Sequence, residues 1–170
     1  MTKSALIILS ILLAIGCNEQ IATTSNVKIY SYVFWGDTIP KIVPYELIVN
    51  ENDSLKKFEY SNLTNPRKSI LLTYIKENQT LKFGMYEYHI DTMIEHSLKS
   101  LDNPKFRVFD LRDASVADAT GPIVLDLDYG LLLIKNSFGT DFVFLADSTS
   151  TEQANKIKDL NKIKPVANKK

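Results

Sequence analysis

The chain has 170 residues, 20 of them basic and 20 acidic, with 45% hydrophobic. Electrical balance without a basic stripe argues against a nucleic-acid binder, and the length suits one domain with a proper core. The single cysteine rules out an intrachain disulfide and a cysteine-based zinc cluster.

The first residues carry the three parts of an export signal. Lys3 supplies the positive start, Ala5 to Ile15 form an apolar run broken only by Ser10, and Gly16 closes it. Eleven residues of helix reach only ~16 Å, too short for a hydrocarbon core of about 30 Å, so cleavage is expected. The run Leu13-Ala14-Ile15-Gly16-Cys17 resembles the lipobox of bacterial lipoproteins. That resemblance implies a signal peptide over 1–16, cut before Cys17, and acylation (palmitate-type) of the Cys17 thiol. Two or three acyl chains would hold the protein on a membrane essentially without release. Asn18, where the enteric-type sorting rule reads Asp as retention, leaves delivery to the outer membrane, the favoured destination, open. With Cys17 lipidated, no thiol is left to serve as a nucleophile.

Residues 17–26 are polar after the cysteine and read as a lipidated N-terminus with a flexible tether. Val27 to Trp35 is strand-like, with Tyr30, Tyr32 and Phe34 on one face and Ile29, Val33 and Trp35 on the other. Both faces are apolar, which implies cover on two sides. Tyr45–Val49 and Leu55–Tyr60 flank a polar turn and form a hairpin. Asn65-Pro66 opens a helix, with Ile70, Leu71, Tyr74 and Ile75 at helical spacing. A hairpin from Ile70 to Phe83 competes, because the segment is also rich in β-formers. The helix is the preferred reading over 66–78.

Leu81 to His89 reads as a strand. Thr92-x-x-Glu95 resembles a capping box, and Ile94, Leu98 and Leu101 give its helix an apolar stripe that stops at Asp102-Asn103-Pro104. Phe106–Leu111, Ile123–Asp128, Leu131–Lys135 and Phe142–Leu145 are strands between turn signals. Ser150-x-x-Gln153 opens a last helix with Ala154, Ile157, Leu160 and Ile163 inward. The order implies one α+β domain over 27–164, a largely antiparallel sheet with two or three short helices packed on it. A basic tail, 165–170, follows.

Chemistry-bearing candidates are few. Asp126 and Asp128, two apart on a strand, would share a face, as a metal site or an acid/base pair needs. The plainer reading is a solvated face, with Leu125 and Leu127 pointing inward. Asp110, Asp113 and Asp118 add acids near them without the spacing of a calcium loop. His89 and His96 do not form a His-Glu-x-x-His motif, and Ser137 reads as a turn residue. Tyr30, Tyr32, Phe34, Trp35, Tyr86 and Tyr88 offer stacking surface for sugar or peptide, although strand aromatics are usually core. Asp37-Thr38-Ile39 and Asp91-Thr92-Met93 resemble the O-glycosylation triplets of some lipoprotein-rich bacteria.

The expectation from sequence is therefore a non-enzymatic, lipid-anchored cell-envelope protein in the periplasm or at the surface. Its partners would be the membrane, through Cys17, and an envelope protein or glycan, with no nucleic acid, cofactor or metal. The alternatives are an envelope hydrolase or metal-dependent enzyme using Asp126 and Asp128, and a small inhibitor or immunity-type lipoprotein.

Overall fold

β-branched and aromatic residues recur between turn signals from Val27 to Leu145, and the described residues there are mostly strand. The computed structural model describes residues 22–23, 26–35, 39–94, 106–111, 120–136, 139–149 and 151–159. Its strands are β1 (Ala22–Thr23), β2 (Val27–Phe34), β3 (Lys41–Glu51), β4 (Leu55–Asn62), β5 (Ile70–Ile75) and β6 (Thr80–Phe83). They continue with β7 (Tyr86–Ile94), β8 (Phe106–Leu111), β9 (Thr120–Asp126), β10 (Gly130–Asn136) and β11 (Asp141–Leu145), and helix α1 (Thr151–Asp159) follows.

Each strand from β2 onward pairs antiparallel with the next in sequence. Pairing of β11 with β2, Val143 opposite Tyr32, then closes the ring. The result is an up-and-down barrel of ten strands. β1 pairs with β3 beyond the start of β2, Ala22 opposite Glu51. Closure gives every wall strand two neighbours and so removes the exposed edges of an open sheet.

Ten strands enclose a wider space than eight, whose interior side chains just fill. This chain fills it with aromatics. Tyr45, Phe58, Tyr60, Leu72, Tyr74, Leu81, Tyr88, Phe109, Ile123, Leu125, Leu131 and Phe144 form one buried cluster inside the wall. Phe144 sits between Tyr45 and Tyr60, with ring centroids at 5.8 and 5.4 Å. A second cluster lies outside the wall, where Tyr32, Phe34, Phe106, Val124, Leu132, Leu133, Val143 and Leu145 meet Ala154 and Ile157 of α1. β2 is thus covered on both sides: Ile29 points in, and Tyr32 and Phe34 lie under the helix. A bulge at Leu132, between the pairs Leu131–Leu125 and Leu133–Val124, turns two consecutive leucines outward to meet it.

Away from the helix and from Ile42 and Leu71 the outer wall is polar. Lys57, Lys82, Glu87 and Asp110 are exposed there, while their strand neighbours Phe58, Leu81, Tyr88 and Phe109 are buried inside. A membrane-spanning barrel has the opposite alternation. Among the described residues no helix is long and apolar enough to cross a membrane.

The α+β expectation is overturned, since the sheet closes on itself instead of resting on helices. At 66–78 the helix is replaced by a single 3₁₀ turn, Pro66–Lys68, followed by β5. Asn65 does cap that turn, its side chain accepting from the Arg67 N–H at 3.1 Å. The error has a physical source: Ile70 and Tyr74 are four apart, a spacing shared by a helix face and a strand face. The β-formers Ile70, Thr73, Tyr74 and Ile75 decide for strand, and pairing to β4 and β6 fixes it. Thr92 of the supposed capping box lies within β7, paired with Val108; the remainder of that helix, 95–101, lies outside the described residues. Of the tether over 17–26, Ala22 and Thr23 are paired in β1, and 17–21 and 24–25 lie outside the described residues. Of the last helix, Leu160 and Ile163 fall outside the described residues, as does the 165–170 tail.

Candidate functional site: the two ends of the barrel

The up-and-down path gives the barrel two different ends. Toward one lie β1, the β3–β4 turn, the β5–β6 turn and the β9–β10 turn. Because the N-terminal strand arrives here, this is called the proximal end. Toward the other, distal end lie the β2–β3, β4–β5 and β6–β7 connections.

At the proximal end the lumen becomes charged. Glu51, the last residue of β3, binds Lys56 Nζ and Lys76 Nζ, each at 2.8 Å. These two ammonium groups hold the Glu51 carboxyl below the usual carboxylate range. Arg107 on β8 is the register partner of Leu125, an inward residue. Its guanidinium Nη1 donates to Tyr74 Oη on β5, three strands round the ring. The contact therefore crosses the interior instead of running along the wall. The guanidinium carbon also lies 5.3 Å from the Tyr74 ring centroid, and that ring packs edge-on against Phe109. Among the described residues no carboxylate lies within ion-pair distance of Arg107.

Deeper in, a second hydrogen bond crosses the lumen. Tyr60 Oη on β4 accepts the Leu131 N–H of β10 at 2.6 Å. Gly130 makes room for it: φ is +92°, and a Cβ there would sit 2.4 Å from Tyr60 Oη. Burial raises the pKa values of Tyr45, Tyr60 and Tyr88. Among the described residues, the buried Ser31 Oγ has no hydrogen-bond partner. Tyr88 Oη, near Thr120, has none of ordinary geometry.

The distal end carries apolar side chains in the open. Trp35 (69% exposed), Ile39 (93%), Leu63 (54%) and Met85 (89%) stand on three successive connections. Ile42 and Leu71 extend the group along the upper wall. The β4–β5 connection is held in place by Asn62 Oδ1, which accepts from Thr64 N and Asn65 N, and by the Leu63 N–H on Pro44 O at 3.1 Å. Leu63 is thus fixed outward by a structured loop.

The residues singled out from sequence fare differently. β9 ends at Asp126, so Asp128 lies in the following turn and the two carboxylates do not share a strand face. Asp126 is buried and caps that turn, Oδ1 accepting from Asp128 N at 2.7 Å and Tyr129 N at 2.9 Å. It is a turn residue because the strand must reverse within three residues to begin β10. Asp110 is exposed on the outer wall opposite His89, remote in register from that turn. Asp113, Asp118, His96, Ser137 and Cys17 lie outside the described residues, as do Asp37 and Thr38. Asp91, Thr92 and Met93 belong to β7. Among the described residues no group of three or more His, Asp or Glu is placed to hold a metal ion. Tyr32 and Phe34 are core beneath α1, and Tyr32 Oη donates to Asp147 O at 2.7 Å. Tyr88 is lumen core, and of the aromatic run only Trp35 stands at an open end.

Sequence reasoning passed over Arg107, Tyr74, Lys56, Leu63 and Met85. A lone arginine at an inward position of an otherwise apolar strand, Phe-Arg-Val-Phe, was the available signal for the first. Fold and ends together define a small closed β-barrel with a filled lumen, a cationic proximal mouth and an apolar distal rim. The chain matches no protein-family model, no curated protein and no solved structure.

Proposed function

We propose that this chain is a lipid-anchored cell-envelope binding module, held to a membrane through Cys17 and binding a protein partner at its distal rim. The observation that carries the reading is the polarity of the barrel: its N-terminal strand arrives at one end, and Trp35, Ile39, Leu63 and Met85 are exposed at the other. An acyl chain on Cys17 would put the proximal end toward the bilayer and leave the rim facing away. Apolar side chains exposed together at one end, with a polar wall below them, have the character of an interaction surface. The outer membrane is the favoured site, which Asn18 leaves open.

Two measurements test the reading. Labelling with a radioactive fatty acid in a bacterial host is expected to mark the wild type and not Cys17→Ser; label on the variant removes the anchor. Leu63→Lys with Met85→Lys is expected to abolish co-purification of the partner retained by wild type while the melting temperature stays unchanged. Undiminished co-purification removes the rim.

A further inference from the structure

We infer that the proximal mouth of the barrel is a binding site for an oxyanion, a phosphate or carboxylate group, seated on Arg107. A guanidinium presents a rigid fork of N–H donors, and Tyr74 Oη takes one of them. Withdrawing such a cation from water is unfavourable unless an anion or a full set of acceptors meets it. Arg107 is half-buried, and the carboxylate in this mouth, Glu51, is already shared between Lys56 and Lys76. Among the described residues, three cations of this mouth therefore stand against that one carboxylate.

The surrounding groups suit an oxyanion. Arginine binds phosphate and carboxylate through two parallel N–H···O bonds. Tyr74 Oη accepts from Arg107, which leaves the phenolic proton for donation to the same ligand. Lys56 is the register partner of Tyr74 and points into the same mouth, its side chain only 14% exposed. Phe109 behind Tyr74 fixes the ring. The outward turns of this end carry Asp53, Glu77 and Asp128, all exposed, so attraction to the mouth is local and not a property of a basic face.

Two sources supply such a group, a free anion or the headgroup of an anionic phospholipid. β1 begins at Ala22, and a chain from Cys17 to that residue spans at most about 17 Å. Anchorage would thus hold the mouth at headgroup level. The headgroup source rests on the anchor reading; the site itself, built from Arg107, Tyr74 and Lys56, does not.

The test is an NMR titration of the full-length protein in neutral detergent, following the Arg107 Nε–H resonance, assigned by its loss in Arg107→Lys. One arm adds inorganic phosphate at constant ionic strength against chloride; the other uses phosphatidylcholine nanodiscs with and without phosphatidylglycerol. A saturable shift with phosphate identifies a free-anion site, and one seen only with phosphatidylglycerol identifies a headgroup site. In either case, with binding read from the remaining resonances that shift, Arg107→Gln is expected to weaken it at least ~10-fold and Arg107→Lys by less, since charge survives without the fork. No saturable shift in either arm, or undiminished binding by Arg107→Gln with its native spectrum retained, overturns the site.

Discussion

Substituting Gly130 by alanine tests the close approach of Tyr60 to the β9–β10 turn. The residue sits at φ +92°, and its Cβ would meet Tyr60 Oη at 2.4 Å, with Leu47 and Phe58 at ordinary contact distances. The left-handed backbone alone costs a non-glycine residue about 1–2 kcal/mol. Tyr60 must also retreat by about an ångström, breaking its bond to Leu131 N and leaving a buried N–H unpaired, a further loss of about 1–3 kcal/mol. Gly130→Ala should therefore destabilise by roughly 2–5 kcal/mol, or roughly 4–20 °C in melting temperature for a domain of this size. Tyr60→Phe alone removes the same hydrogen bond and should lose about 1–3 kcal/mol. The two losses overlap, because the phenylalanine has no hydroxyl to collide with the new methyl group. The double variant should thus be more stable than the sum of the singles by about 1–3 kcal/mol. Urea unfolding of the four proteins, at constant m-value, measures this directly. Additivity within ~0.5 kcal/mol would refute the proposed contact across the lumen.

Three further outcomes follow from the same geometry. Tyr45, Tyr60 and Tyr88 have raised pKa values in the fold. Their neutral forms thus support the fold fully below pH ~10, the unfolded value, and the support fades as pH rises further. A spectrophotometric titration should show these three ionising together with unfolding; smooth ionisation of all eight tyrosines in an intact barrel would contradict it. Glu51, with its pKa lowered by Lys56 and Lys76, contributes above the unfolded carboxylate value and loses that contribution as pH falls through the folded one. Glu51→Gln, at a partly exposed site, should lower stability by at most ~1 kcal/mol at neutral pH, and by less in acid; chemical denaturation at the two pH values checks this. Asp126→Ala should lose about 1–2 kcal/mol by releasing two turn N–H groups, whereas Asp128→Asn should be nearly silent in thermal melts. Equal effects would restore a paired role for the two carboxylates.

Much of the wall was readable from sequence, because runs of β-branched and aromatic residues such as Phe106–Leu111 and Phe142–Leu145 stand between turn signals. Closure was not, since nothing in Val27–Phe34 states that its second neighbour is Asp141–Leu145, more than a hundred residues away. Ile70–Ile75 misled because four-residue spacing serves both helix and strand, and only pairing on both edges resolves it. Asp126 was misread for a similar reason: alternation predicts faces only while the strand continues, and β9 stops there. The proximal mouth was invisible because its parts, Lys56, Tyr74 and Arg107, come from three strands joined only by the curvature of the barrel. Leu63 and Met85 were equally hidden, since exposure of an apolar loop residue depends on what the fold leaves uncovered.

The proposed orientation sets the proximal end on the membrane and the distal rim on a protein. Photoreactive amino acids placed singly at Met85 and at Asn78, in cells of a bacterial host, measure it most directly. A discrete protein adduct is expected from Met85 and lipid adducts from Asn78, with the lipid adducts lost in Cys17→Ser. Lipid adducts from Met85 and protein adducts from Asn78 would contradict it.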